Sequence, residues 1–325
     1  MGTIRHRAET FLFSPESDRW ISLLRVGLGI QVAIFSLSSR ADWLELFAST
    51  GRGLVNREIT EAIVNVESLY VPRFGWFIRL GNFAGISETF VLYAIWGCLF
   101  CAGCLLILGL FSRPAAATAW LLHLCTIKSE EFLTYGMDNF TTIGLFYLMF
   151  CPLPDRCALD YRRLGQARFN AQLSGFFRRV LQVHVCIIYF FGGATKCLGP
   201  EWWTGDSIWR ALTSPPYNLV SPQFLIAWKF MLPVAGIAVC IIETGFPLFI
   251  WFRQTRLVWL ILVCGMHLMI ALTMGLQLFS LIMIILCLAA FGPEFSFDSE
   301  KLLSVLRRPW SWKRQLSPSD TVRVK

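Results

Sequence analysis

The stretch "YFFGGATKCLGPEWWTG", Tyr189 to Gly205, closes an apolar run that carries no charge after Arg179, then meets a lysine and a Gly-Pro-Glu-Trp-Trp turn. A helix of that composition suits hydrocarbon, and a lysine followed by two tryptophans suits the level at which hydrocarbon gives way to headgroups. Lys196 then has two readings. Its ammonium can snorkel to the headgroups while its stem stays apolar. Alternatively, a partly desolvated amine is a candidate base, because burial disfavours the charged form.

Working outward, the rest of the chain follows the same pattern. Its 325 residues are 55% hydrophobic, 15% aromatic and 15% charged, the composition of a multi-span membrane protein. The net charge of +8 is not a nucleic-acid signal, since no basic run is interleaved with stacking aromatics in a soluble domain. Eight apolar segments stand out, at about 20–38, 88–110, 114–127, 139–153, 176–195, 222–252, 257–273 and 276–291. Those beginning at 114, 139 and 276 are shorter than the ~20 residues of a straight span, so tilt, extension into polar turns or partial re-entry is expected there.

Charge placement tests this partition independently, because Lys and Arg collect in short cytoplasmic loops. With the N-terminus inside, 19 of the 29 Lys and Arg fall in inside segments and 8 in outside ones, with Arg25 and Lys229 inside spans. The expectation is an all-α, polytopic protein of about eight transmembrane helices with both termini cytoplasmic. A cytoplasmic segment 1–19 precedes a membrane domain 20–292, and a basic tail 293–325 follows. Lys196 and "GPEWWTG" then face the outer side. "SLSSRA" after the first span is a poor cleavage site, so that span is expected to be retained.

In the first outer loop, Ile59, Ile63, Val66 and Tyr70 share one helical face while Glu58, Glu61 and Asn65 lie elsewhere, so "NREITEAIVNVESLY" reads as an interfacial amphipathic helix. "RFGWFIRL" suggests a second interfacial piece, and together they are expected to lid the outer mouth. "LRRPWSWKRQ" in the tail, basic with two Trp, suits an anionic inner leaflet. Of the eleven cysteines, most lie in apolar spans, where free Cys acts as a small hydrophobe; "CLFCAGC" has ligand-like spacing, but on an apolar helix. No metal site is expected.

Ionisable groups inside the membrane carry more information, because keeping them there is costly. They are Arg25, His123, His184, Glu243 and His267, with Asp138 and Asn139 near an outer end. Arg25 can snorkel inward or pair with an acid. His123 and His184 are expected to be satisfied by a neighbouring helix. Glu243 sits about twenty residues into a segment broken by Pro233 and Pro247, and a Glu243–His267 pair across an antiparallel hairpin is geometrically open.

Five stretches in order carry a family resemblance: "LLRVGLGI", "GLFSRP", "GMDNFTTIGLFYL", "YFFGGATKCLGPEWWTG" and "HLMIALTMGLQLFSLIM". Together, over about residues 10–295, they resemble the HTTM family, the horizontally transferred transmembrane domain, which includes the membrane part of vitamin K-dependent gamma-carboxylase. The resemblance implies a quinol-dependent oxygenase-carboxylase ancestry. In the carboxylase a lysine of a "KKLDADW"-like segment deprotonates a naphthohydroquinone, and oxygen then turns the quinol into a strong base that acts on a substrate glutamate. Matching Trp202 without a gap puts Lys196 on the first lysine and Cys197 on the base; one inserted residue puts Lys196 on the base. Asn139 stands near the place of a carboxylase histidine, His267 matches another, and the lumenal substrate-binding domain has no counterpart.

The resemblance thus implies Lys196 and His267 as catalytic candidates. Arg25, Asp138, Asn139, Trp202, Trp203, Gly205 and Glu243 are the binding candidates around an outward-facing polar cavity. The expected cofactor is a reduced naphthoquinone or another membrane quinol, and the expected partners are the bilayer and a quinone, lipid or peptide substrate. The same cavity also suits a non-enzymatic protein that binds a lipid, quinone or partner, and an apolar surface leaves the number of subunits open. A compact HTTM chain of this kind suits a bacterial inner membrane.

Overall fold

A computed structural model describes residues 2–50, 56–163 and 169–293, and among them all regular structure is helical. Helix α1 (Gly2–Leu12) precedes α2 (Arg19–Ser38), the first apolar helix, and α3 (Trp43–Phe47), α4 (Arg57–Glu67) and α5 (Phe74–Phe83) occupy the loop after it. Next come α6 (Glu88–Leu108), α7 (Ser112–Ser129), a 3-10 turn (Glu131–Leu133), α8 (Gly136–Phe150) and the short α9 (Leu159–Arg163). The last stretch holds α10 (Ala171–Leu198), α11 (Pro200–Thr204), α12 (Asp206–Thr213), α13 (Pro222–Ala227), α14 (Met231–Phe249), α15 (Arg253–Met274) and α16 (Gln277–Phe291).

The ends of these helices are written in the sequence. Ser87 accepts a hydrogen bond from the Phe90 amide and starts α6, which stops at Gly109 with φ 69°, a left-handed conformation that favours glycine. Asn170 caps α10 through the Leu173 amide, and Ser221 caps α13 through that of Phe224.

Five helices, α2, α6, α10, α14 and α15, are long and apolar enough to cross a bilayer. The other three apolar segments also form helices: α7 has 18 residues but carries Arg113, His123 and Lys128, and α8 and α16 have 15 each. At 1.5 Å per residue, 15 residues span only about 22 Å of a ~30 Å hydrocarbon core.

One segment needs correction. The run 222–252 is not a single helix: α13 ends at Ala227 and α14 begins at Met231. Pro233 explains the restart, because it lacks an amide and is readily accommodated in the first turn of a helix; Pro247, read from the sequence as a second break, lies inside α14 instead. Lys229 therefore lies in the intervening turn and not within a span.

Glycines set the helix spacing. A Cβ on Gly29 would lie 2.8 Å from the Ile107 amide nitrogen, and one on Gly103 would lie 2.9 Å from that of Ala33, so α2 and α6 cross backbone to backbone. Such close crossings let dispersion act between helices where no hydrophobic force distinguishes helix from lipid.

Hydrogen bonds fix the relative directions of the helices. Trp20 Nε1 donates to Ser174 Oγ at 2.9 Å, so α2 and α10 begin at the same end. On α16, Cys287 meets Tyr189 while the Ala290 and Gly292 carbonyls accept from Arg178, so α16 runs antiparallel to α10.

The end where α2 begins is clamped by Arg25, fully buried, whose Nε donates to Asp155 Oδ2 at 2.6 Å. Ser22 and the Cys157 amide also donate to Asp155, and Arg25 reaches the Leu106 carbonyl. Arg25 is thus a structural ion pair with an acid from the chain beyond α8. Counting from the shared level of Trp20 and Ser174, it lies about 25 Å along the bundle from Lys196.

In the loop after α2, α4 forms as read, an amphipathic helix with Ile59, Ile63 and Val66 exposed, and it packs on the bundle through Arg57, Thr60, Glu61 and Val64. Arg57 bonds Glu88 at 2.9 Å and Glu61 at 3.3 Å, while Glu61 accepts from Ser129 and from the Gly75 amide. This network ties α4 and α5 to α6 and α7, whereas α11 and α12 are the helices that lie along the first half of α14. The sequence "LRRPWSWKRQ" lies outside the described residues.

Candidate functional site

Two glycines in "YFFGGATK" make the site possible. A Cβ on Gly193 would fall 2.7 Å from the Thr244 amide nitrogen, and one on Gly192 would fall 3.2 Å from Glu243 Oε2. Without side chains there, α10 and α14 close up and Lys196 reaches across. Its Nζ sits 2.6 Å from Glu243 Oε2, with a weaker bond of 3.4 Å to the Gly192 carbonyl. The lysine side chain is 25% exposed and the glutamate side chain 11%, so the pair is only partly desolvated.

Trp202 completes this corner, its ring centroid 5.4 Å from the ammonium. α11 holds it in place: Gly236 on α14 lies under the Trp202 carbonyl, and Gly205, at φ 87°, turns the chain tightly against Leu232 and Pro233. Trp203 instead turns outward, 48% exposed, with Nε1 donating to the Cys197 carbonyl at 2.9 Å.

Two turns inward along the same face of α10 lies Tyr189, seven residues before Lys196 and 3% exposed. Its hydroxyl bonds His267 Nε2 at 2.6 Å and lies 3.4 Å from Cys287 Sγ. The Phe246 ring packs at 4.6 Å on the other side. His267 is 3% exposed, beside the Phe279 ring, and its Nδ1 has no partner among the described residues. The Glu243–His267 pair that the sequence left open is not formed: Glu243 pairs with Lys196, and His267 pairs with Tyr189.

Ser280, 2% exposed on α16, is another buried hydroxyl without a partner among the described residues. It lies seven residues outward from Cys287 on the same helix face, as Lys196 lies seven outward from Tyr189 on α10, so the two sit at about the same depth. The result is a polar seam: Lys196 and Glu243 at the end where α10 closes, with Tyr189, His267 and Cys287 two turns deeper, and Ser280 on α16 at about the depth of Lys196. Deeper still on α10, Gln182 and Arg178 bond the carbonyls closing α16.

Other candidates fall elsewhere. Asp138 accepts from the Tyr135 amide at 3.0 Å and caps α8, while Asn139 is on the exposed face of that helix. Around Asp138 the loop is acidic and half-buried: burial first, then the Asp138 charge, pushes Glu130 from its ordinary value near 4.5 up to about 7. Burial, with Asp138 and Tyr217 nearby, likewise raises Tyr135 to about 12. His123 Nδ1 bonds Thr142 at 3.0 Å and His184 Nδ1 bonds Tyr147 at 2.8 Å, so both are held by neighbouring helices as expected. Cys98 and Cys101 face outward from α6.

With this geometry in place, comparison with known families gives one result: a model described as the HTTM domain matches residues 57–295. The chain belongs to the HTTM family. The match begins at Arg57, so "LLRVGLGI" in α2, which contributed to the resemblance, lies outside it, while the whole seam from α10 to α16 lies within. No curated protein and no solved structure matches the chain. With its five long apolar helices this HTTM chain is an integral membrane protein.

Sequence reasoning found Lys196, Glu243 and His267 but missed Tyr189, Cys287 and Ser280. Tyr189 had a signal: heptad spacing from Lys196 on one helix places both on the same seam. Cys287 and Ser280 had none, because a cysteine or serine in an apolar helix looks the same whether it faces lipid or a partner.

Proposed function

We propose that this HTTM protein is a quinol-handling membrane enzyme of gamma-carboxylase type, with Lys196 as general base and His267 as its buried partner. In this reading α2, α6, α7, α8, α10, α14, α15 and α16 all cross a bacterial inner membrane. Both termini are cytoplasmic, and the Lys196 end faces outward. Parallel α2 and α10, spans one and five, agree with the three crossings, α6, α7 and α8, that lie between them.

The observation that carries the reading is the half-buried Lys196–Glu243 pair set over Trp202, on a seam where His267 Nδ1 and Ser280 Oγ have no partner among the described residues. Buried polar atoms without partners call for an occupant. The occupant proposed for this corner is a planar ring carrying two oxygens, with the Trp202 indole as its wall. Trp202, Ser280 and His267 would hold a membrane quinol, which when bound supplies the reducing equivalents for chemistry with oxygen.

The chain's own residues handle the protons. In this reading Nζ becomes a base once its proton has crossed the 2.6 Å hydrogen bond to Glu243. The pair has no net charge before or after that transfer, so no isolated charge is stranded in the partly desolvated site. Tyr189 fixes the His267 ring through Nε2 and leaves Nδ1 to face the occupant.

The test is oxygen-dependent turnover of a reduced naphthoquinone by the wild type, Lys196→Ala and Lys196→Arg. Loss in both variants with assembly intact supports a neutral amine as base, whereas unchanged turnover in Lys196→Ala refutes it. The ion pair also favours a second reading, in which a permanently charged Lys196 anchors a bound lipid or quinone without chemistry. On that reading Lys196→Arg retains binding, and no variant turns anything over.

A further inference from the structure

We infer that the opposite end of the bundle holds a binding site for an anionic phospholipid, independent of any chemistry at Lys196. An open cleft of about 480 Å³ lies between α1 and the start of α10, lined by His6, Arg7, Thr10, Phe11, Ser14 and Arg179. Along α10, Arg179 is about 25 Å from Lys196, so the cleft sits near the other membrane surface.

Among the described residues, charge there is out of balance. Arg178, Arg179, Arg253 and Arg256 form one interacting cluster, and the carboxylate facing them is Glu16. Glu16 is taken up by Arg178 at 2.7 Å and Arg179 at 3.4 Å. Among the described residues, Arg179 also bonds Gln182, Arg178 the Ala290 and Gly292 carbonyls, and Arg256 the Ile250 and Trp251 carbonyls, all neutral groups. Neutral acceptors satisfy hydrogen bonds but cancel no charge. Arg179 Nε, shielded from solvent, has no partner among the described residues.

The cluster also has an apolar shelf. The Phe11 ring lies beneath the Arg179 guanidinium at 5.2 Å and against Trp251 at 5.8 Å. Phe252 and Leu257 next to it are 58% and 59% exposed. Phosphate oxygens against arginines, with chains running along exposed apolar side chains, is the chemistry of a phospholipid and not of a free anion. Basic pockets between helices at a membrane surface bind such headgroups for the same reason.

The test is native mass spectrometry of the full chain in detergent with added phosphatidylglycerol, phosphatidylcholine or inorganic phosphate. The wild type should keep one phosphatidylglycerol in preference to phosphatidylcholine. Arg179→Gln should weaken that adduct about fivefold, the effect of one basic group near a membrane surface. Because Arg179 also bonds Glu16, Arg7→Gln, at an exposed position, serves as the second variant and should weaken it similarly with melting unchanged. Equal retention of both lipids, adducts indifferent to both variants, or phosphate displacing the lipid at millimolar concentration would overturn the inference.

Discussion

Tyr189→Phe tests the buried seam most sharply, because it deletes one oxygen and leaves the ring packed on Phe246. His267 Nδ1 already lacks a partner, so losing the 2.6 Å bond to Nε2 leaves a 3%-exposed imidazole with neither nitrogen bonded. Hydrogen bonds between membrane helices are worth roughly 0.6 kcal/mol on average and up to about 1.7, and a buried group left unpaired costs about 1–3. A loss of about 1–2 kcal/mol is expected for Tyr189→Phe. His267→Leu should cost a similar amount, because the hydroxyl keeps only its 3.4 Å contact with Cys287. The double variant removes both polar groups, so it should recover about 1 kcal/mol relative to the sum. The assay is reversible unfolding by sodium dodecyl sulfate in bicelles, run as a double-mutant cycle. Additivity within about 0.5 kcal/mol would refute the idea that this bond positions His267.

Other expectations follow from single features. Asp155→Ala strands Arg25 as a fully buried charge and should cost about 3–5 kcal/mol in the same unfolding assay, with Arg25→Met restoring most of it; no loss would mean the clamp is solvated. Glu130 has a native value raised to about 7, so the native state binds more protons than the unfolded chain above pH 4.5. Stability therefore falls as pH rises from about 4.5 to about 7, and Glu130→Gln should flatten that part of the melting profile. Gly193→Val places side-chain atoms against the Thr244 backbone and should cost about 1–3 kcal/mol while parting Lys196 from Glu243, read as faster labelling of Lys196 by an amine reagent.

The helices were legible because hydropathy and caps are local. Runs such as 88–110 have one outcome in lipid, and Ser87 and Asn170 act on neighbouring amides. Three-dimensional choices were less legible. Lys229 looked intramembrane because Pro233 does not announce from sequence whether it kinks a helix or restarts one. α4 was read correctly as amphipathic, and its i,i+4 pair Arg57–Glu61 is local, but Arg57 finds Glu88 only once α6 stands beside it. In the site, Lys196 and Glu243 stood out as costly residues in lipid, but which acid each base would meet depended on Gly192 and Gly193. Arg25 stood out equally and proved to belong to the opposite end, its partner Asp155 lying 130 residues away in sequence.

The most direct measurement of the central claim is mass spectrometry of the quinones and lipids that co-purify with the wild type, Lys196→Ala and Tyr189→Phe. The account predicts one quinone bound stoichiometrically to the wild type, lost from Lys196→Ala and reduced in Tyr189→Phe. Bulk phospholipid alone in all three preparations would contradict it and reduce Lys196 and Glu243 to an interhelical ion pair.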